Sequence, residues 1–201
     1  NEDTNYVFTA TDFNFTDVDG DSLASIEIAT LETVGNLKLN GIDVTLNQVI
    51  SKIDIDAGLL VYTPLANENG SSYDSFGFSV NDGTIDSVSS YTMTIDVTAI
   101  NDAPVNTVPS VQTIDEDTLL SIAGLSVTDV DGNLASTQLQ VNNGVLNVTL
   151  SGIATITSGA NNSSDLTISG TEADINAALA SLTYQGNLNF NGSDTLTMTS
   201  T

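Results

Sequence analysis

Apolar and polar residues alternate in short runs along this chain, as in Asn36-Leu37-Lys38-Leu39, Ser75-Phe76-Gly77-Phe78-Ser79-Val80 and Tyr91-Thr92-Met93-Thr94-Ile95-Asp96-Val97. A period of two sets one face of each run against a core and the other in water. Turn formers separate the runs at Asp19-Gly20, Asn40-Gly41, Asp56-Ala57-Gly58, Asn69-Gly70, Asn81-Asp82-Gly83 and Asn143-Gly144. Short strands with regular turn signals predict an all-β chain of antiparallel sandwiches. One segment departs from this pattern. Glu172 to Ala180 follows Thr171, a good N-cap, carries acids in its first turn and spaces Ile175 and Leu179 four apart, which predicts one short helix closing an end of the second sandwich. Ser181 to Tyr184 then alternates like a strand again.

The chain repeats itself. Glu2-Asp3-Thr4 returns as Glu116-Asp117-Thr118, and Asp17-Val18-Asp19-Gly20 returns as Asp129-Val130-Asp131-Gly132. Leu60-Val61-Tyr62 with Asn67-Glu68-Asn69-Gly70 returns as Leu182-Thr183-Tyr184 with Asn189-Phe190-Asn191-Gly192. Three blocks recurring in one order predict two tandem sandwiches over residues 1–102 and 103–201. The boundary lies near Asn101-Asp102-Ala103-Pro104, where Pro104 favours an extended backbone at Ala103. Aligning the copies leaves the first without an opening strand and the second without a counterpart of Asp82 to Ile100. The chain therefore reads as a window on a longer tandem array, or as modules whose missing strand a neighbouring molecule supplies by β-augmentation.

Composition narrows the chemistry. With 26 acidic residues against 2 lysines and no arginine, the net charge of −24 repels phosphate backbones and anionic lipid, so neither nucleic acid nor a membrane surface is an expected partner. No apolar run approaches the roughly 20 residues of a membrane span. The absence of His and Cys excludes a histidine base, a thiolate nucleophile, a thiolate zinc site and a disulfide. A 40% hydrophobic content still supplies a core. Paired carboxylates are the remaining catalytic option and need one acid desolvated in a cleft, whereas these acids cluster in polar Asp/Gly turns, so an enzyme is not expected. Asn-x-Ser/Thr triplets such as Asn14-Phe15-Thr16 follow from an Asn- and Thr-rich composition and are assigned no role.

The acids have a pattern. Asp outnumbers Glu 20 to 6, with Asp17, Asp19 and Asp21 on alternate positions and Asp129, Asp131 and Asn133 repeating the arrangement. Short oxygen-bearing side chains at that spacing in a turn can converge on one hard cation, for which Ca²⁺ is the natural candidate. The turn is no EF-hand, because position six is Ser22 or Leu134 and position twelve is Ile28 or Gln140. Generic acidic solvation is the alternative reading of the same residues.

Glu-Asp-Thr near each module start, Asp-Val-Asp-Gly some residues later, Phe78-Ser79-Val80-Asn81-Asp82-Gly83 and Val97-Thr98-Ala99-Ile100-Asn101-Asp102-Ala103-Pro104-Val105 together resemble bacterial cadherin-like tandem repeats of large secreted adhesins, an Ig-like β-sandwich family. The resemblance implies Ca²⁺ at the junction of successive modules. Carried over, it implies Glu2, Asn67, Asn69, Asn101, Asp102, Asp129 and Asp131 around one junction, with Asp17, Asp19, Asp21 and Glu116 serving junctions with further modules. Ala99 stands where the family has a linker Asp, and Asn67-Glu68-Asn69 replaces its acidic triplet, which implies one or two ions rather than three. The function implied is an extracellular or cell-surface extender whose partners are neighbouring repeats. A module that binds polysaccharide or another copy of itself, or a strand-exchanging filament subunit, is the alternative. For such contacts Tyr73 and Tyr91 are the expected exposed aromatics, with Phe76, Phe78, Tyr62 and Tyr184 in the core.

Overall fold

The alternating runs are strands in the computed structural model, which describes residues 1–201. The chain divides into two compact units, Asn1–Ile100 and Asn101–Thr201, each built of antiparallel sheets. In the first unit, β1 (Tyr6–Val7), β6 (Leu60–Thr63), β3 (Asn36–Leu39) and β4 (Ile42–Asp43) form one sheet in that order. A second sheet runs β5 (Val49–Ser51), β2 (Ser25–Thr30), β7 (Gly70–Asn81) and β8 (Tyr91–Val97). Leu37, Leu60 and Tyr62 of one sheet meet Ile26, Ile28, Ile50, Phe76 and Phe78 of the other in a single apolar cluster. Burying such a side chain is worth about 1.5–3 kcal/mol. Edge-to-face contacts add orientation, with Phe8 on Phe76 at 5.5 Å and Phe13 on Phe78 at 5.0 Å between centroids.

The second unit repeats this plan. It contains β9 (Val105–Thr107), β10 (Leu119–Ser121), β11 (Ser126–Thr128), β12 (Thr137–Gln140), β13 (Gly144–Asn147), β14 (Thr155–Gly159), β15 (Asp165–Ser169), β16 (Thr183–Gly186) and β17 (Thr197–Ser200). The pairings β10–β16, β13–β16, β12–β15 and β12–β17 match β1–β6, β3–β6, β2–β5 and β2–β7 of the first unit. The differences are at the margins. β14 adds an outer strand to β15, β9 pairs with β11, and the second unit has no counterpart of β4 or β8.

Helix α2 (Glu172–Ala180) lies where the spacing predicts it, capped by Thr171, whose side chain accepts from the Asp174 amide at 3.2 Å. Its Ile175, Ala178 and Leu179 face the second core. Sequence periodicity missed helix α1 (Lys52–Asp56), because five residues are too short to display a 3.6-residue period. Ser51 caps it as Thr171 caps α2, accepting from the Asp54 amide at 3.1 Å. Both helices follow the strand that pairs with β2 or β12, so α1 and α2 are equivalent elements.

A tyrosine–aspartate pair ties the layers of each unit, buried in the first and half-buried in the second. Asp74 on β7 is 4% exposed and accepts from the Tyr62 hydroxyl of β6 at 2.8 Å. It also accepts from the backbone amides of Thr33, Val34, Gly35 and Ser75 at 2.8–3.3 Å. The second unit repeats the pair. Asp194 accepts from the Tyr184 hydroxyl at 2.9 Å and from the amides of Asn142, Asn143 and Thr195. Glycine is required beside each tyrosine, because a Cβ at Gly35 would overlap the Tyr62 hydroxyl and one at Gly144 the Tyr184 ring. Burial opposes ionisation of Asp74, but the donated hydrogen bonds outweigh it and hold the carboxyl at about 2. Burial and the facing carboxylate push the Tyr184 hydroxyl up to about 12.

Tyr62→Phe removes a hydrogen bond to a buried carboxylate and is expected to cost about 2 kcal/mol in urea unfolding at neutral pH, with a smaller loss for Tyr184→Phe at its more exposed site. An unfolded aspartate titrates near about 4, so the Asp74 contribution is complete above that pH and lost as the pH falls through about 2. The Tyr184 contribution is present below about pH 10 and lost as the pH rises through about 12. Asp74→Asn should flatten the acid limb of the stability–pH curve. Independently, Ser51→Ala and Thr171→Ala should each lower stability by about 1 kcal/mol in the same assay, and an unchanged midpoint would show that the caps contribute nothing.

Candidate metal centre

The Asp129–Asn133 turn of the second unit follows β11, and the linker residues Asn101 and Asp102 lie against it. Asp129 holds the turn closed, its Oδ1 accepting from the Asp131 amide at 3.0 Å while its carbonyl accepts from Gly132. Gly132 has φ +67°, a left-handed backbone that glycine adopts without strain. The Asp131 carboxylate accepts from the Asp102 amide at 2.6 Å, and the Asn133 amide group donates to Asn101 Oδ1. The four residues predicted from this side, Asn101, Asp102, Asp129 and Asp131, are thus gathered by direct contacts within one unit.

Asp129 stands apart among them. The residue is 9% exposed, and its Oδ2 is buried with no hydrogen-bond partner. An unpaired buried carboxylate oxygen is costly unless a cation or a donor meets it. With Asp131, Asn101 and Asp102 beside it, the surroundings offer oxygen atoms and no nitrogen or sulfur ligand, the donor set of a hard divalent cation such as Ca²⁺. Nowhere does the structure gather three or more acidic side chains as a ready metal cage. The donors that fit are therefore two aspartates on one turn, with linker oxygens beside them.

In the first unit, Glu2 is 2% exposed. Its Oε1 accepts from the Ile100 amide at 2.6 Å and its Oε2 from the Asn69 side-chain amide at 3.2 Å, so Glu2 and Asn69 are brought together. Asn67 is not joined to them. Its backbone amide donates to Asp3 Oδ1 at 3.0 Å, and both residues have positive φ. The same contact recurs in the second unit from the Asn189 amide to Asp117 at 2.8 Å. Sequence reading found both repeat blocks, Glu-Asp-Thr and Asn-x-Asn-Gly, without recognising that they touch.

Asp17, Asp19 and Asp21 form a turn of the same kind, with Asp17 Oδ1 accepting from the amides of Asp19 and Asp21 at 2.7 and 3.2 Å. Asp19 and Asp21 are exposed, as is Glu116. The acids are also less uniformly placed in polar turns than their sequence context suggests, since Glu2, Asp74 and Asp129 are buried. Two further residues escaped sequence reading. Glu172 Oε2 accepts from the Asp129 amide at 3.0 Å, and Asn176 bonds the backbone N–H and C=O of Val127, each at 2.8 Å.

Of the aromatic residues, Tyr62, Phe76 and Phe78 are buried and Tyr184 is partly so. Tyr91 is 54% exposed, as expected. Tyr73 is instead half-buried, with its hydroxyl committed to Glu68 at 2.7 Å, and Tyr6 is the exposed aromatic that the alternation did not reveal. Tyr6 borders a groove of about 440 Å³ in the first unit, together with Phe8, Asp12, Met93 and Ile95. No helix is long and apolar enough to cross a membrane.

Comparison with known proteins bears on the second unit. The family model described as the Protein GAMETE EXPRESSED 2 domain matches residues 120–201, a span that includes the Asp129–Asp131 turn, helix α2 and the Tyr184–Asp194 pair. The match is to this domain and not to a cadherin-type repeat. No curated protein matches the chain, and no solved structure matches it.

Proposed function

We propose that this chain consists of two calcium-rigidified extender repeats of a large bacterial cell-surface or secreted adhesin, acting outside the cell and without catalytic activity. The observation that carries the reading is the buried, unpartnered Oδ2 of Asp129, in a turn whose other aspartate already holds the linker amide of Asp102. Asp129 and Asp131 hold the ion from the second unit. Asn101 and Asp102 bring linker oxygens to it. When bound, Ca²⁺ supplies positive charge where carboxylates would otherwise repel one another. The Asp131–Asp102 and Asn133–Asn101 contacts fasten the linker to the turn, so ordering the turn orders the linker with it. Because the ion binds the ordered state, rigidity and stability rise together with free calcium. The partners in this reading are neighbouring repeats. The charge of −24 opposes any polyanionic partner and favours divalent cations.

One observation favours a second reading, a polysaccharide-binding or self-associating module. The groove beside Tyr6 offers an exposed aromatic face next to Asp12, a combination suited to a sugar ring. Glycan-array binding that is lost on Tyr6→Ala would support it.

Titration calorimetry with Ca²⁺ is expected to show one or two sites that Asp129→Asn/Asp131→Asn removes. Small-angle scattering is expected to report a stiffer particle in calcium than in chelator for the unaltered chain only. The thermal midpoints should also invert. In chelator, Asp129→Asn should match or exceed the unaltered protein, because it removes a buried unpaired charge. In millimolar calcium it should fall below. A double variant with full calcium affinity and an unchanged scattering curve would sink the assignment.

A further inference from the structure

The two Asp-x-Asp turns are alike in sequence, but the equivalent helices of the two units differ. Ser51 and Thr171 are equivalent N-caps, Asp54 and Asp174 the residues they cap, and Ile55 and Ile175 the buried anchors that follow. This alignment sets Glu172 against Lys52 and Asn176 against Asp56. On a helix, residues four apart share a face. In α1, Lys52 and Asp56 spend that proximity on each other as an ion pair. In α2, Glu172 and Asn176 both reach across to β11 and the residue after it. Asn176 bonds both backbone groups of Val127, as a neighbouring strand would, and Glu172 accepts the amide of Asp129.

These bonds span the distance between the core and the candidate metal centre. Val127 is fully buried in the second core, and Asp129, two residues on, carries the unpartnered buried oxygen. The turn therefore cannot open without releasing the Glu172 contact, and β11 cannot shift without losing the Asn176 pair. Glu172 also brings a further acidic group to the base of the turn. That charge is tolerable at the N-terminus of α2, and a cation in the turn would favour it further.

We propose that Glu172 and Asn176 are positioning residues that couple the Asp129–Asp131 turn to helix α2, so that calcium held at the turn stabilises the helix and the core it covers. The first unit, with Lys52 and Asp56 at these places, lacks the coupling. The proposal rests on the calcium reading above and adds residues and a direction of transmission that the reading does not contain.

The test measures amide hydrogen exchange and Ca²⁺ affinity on the full chain for the unaltered protein, Asn176→Ala and Glu172→Gln. In the unaltered protein, calcium is expected to slow exchange in α2 while leaving α1 unchanged. Asn176→Ala should weaken calcium binding roughly tenfold, the usual scale for residues that orient metal ligands, and abolish the calcium-dependent protection of α2. Glu172→Gln keeps an acceptor for the Asp129 amide and a partly exposed, nearly isosteric side chain, so it should fold normally and lose less affinity. Unchanged affinity and persisting α2 protection in Asn176→Ala would overturn the coupling alone. Equal calcium protection of α1 and α2 in the unaltered protein would overturn it as well. If the unaltered chain binds no calcium, the parent reading falls and the coupling falls with it.

Discussion

Each unit of this chain depends on one polar contact between its apolar layers, the tyrosine–aspartate pair, buried in the first unit and half-buried in the second. Two apolar layers can slide over each other at little cost, since dispersion contacts are individually weak and non-directional. A buried carboxylate has no such freedom. Asp74 must have donors, and it draws them from β6 through Tyr62 and from the loop between β2 and β3 through three consecutive amides. Asp194 makes the same demand on β16 and on the residues before β13. The pair thus sets the register of the layers and explains why glycine stands at 35 and 144, where any side chain would collide with the tyrosine.

The same physics, left incomplete, marks the Asp129 turn. Asp74 and Asp129 are both buried acids, yet Asp74 has both oxygens satisfied by protein donors whereas one oxygen of Asp129 has none. Glu2 resembles Asp74 in this respect, with a donor on each carboxylate oxygen. The contrast separates acids whose carboxylate oxygens the fold satisfies with donors from Asp129, whose Oδ2 no donor or protein cation meets. In a chain with 26 acidic residues and 2 basic ones, a protein cation is rarely at hand for that role. Both lysines are engaged with surface aspartates of the first unit, Asp43 and Asp56.

Duplication makes the units informative about each other. The caps, the buried isoleucines, the tyrosine–aspartate pairs and the Asp3–Asn67 and Asp117–Asn189 contacts recur because they serve the fold of a single unit. Features that differ between the copies are candidates for specialised roles. Among them are the replacement of Lys52 and Asp56 by Glu172 and Asn176, the burial of Glu2 against the exposure of Glu116, and the strands β8, β9 and β14.

Strand alternation, turn chemistry, the α2 cap and the order of the repeated blocks were legible in the sequence, because each depends on residues within a few positions of one another. So were the acidic surface and the oxygen-only chemistry, which follow from composition. Helix α1 was not, since one turn displays no periodicity, and neither was the role of Asp74, whose neighbours in sequence are ordinary strand residues. Which aspartate is buried, which of its oxygens lacks a donor, and whether a helix face binds itself or reaches a turn some 43 residues away are set by contacts across the core. Such contacts depend on how layers pack in space. Sequence alone determined an all-β, duplicated, strongly anionic chain, and only the tertiary structure decided that Asp129, with Glu172 beneath it, is buried with one carboxylate oxygen unmet.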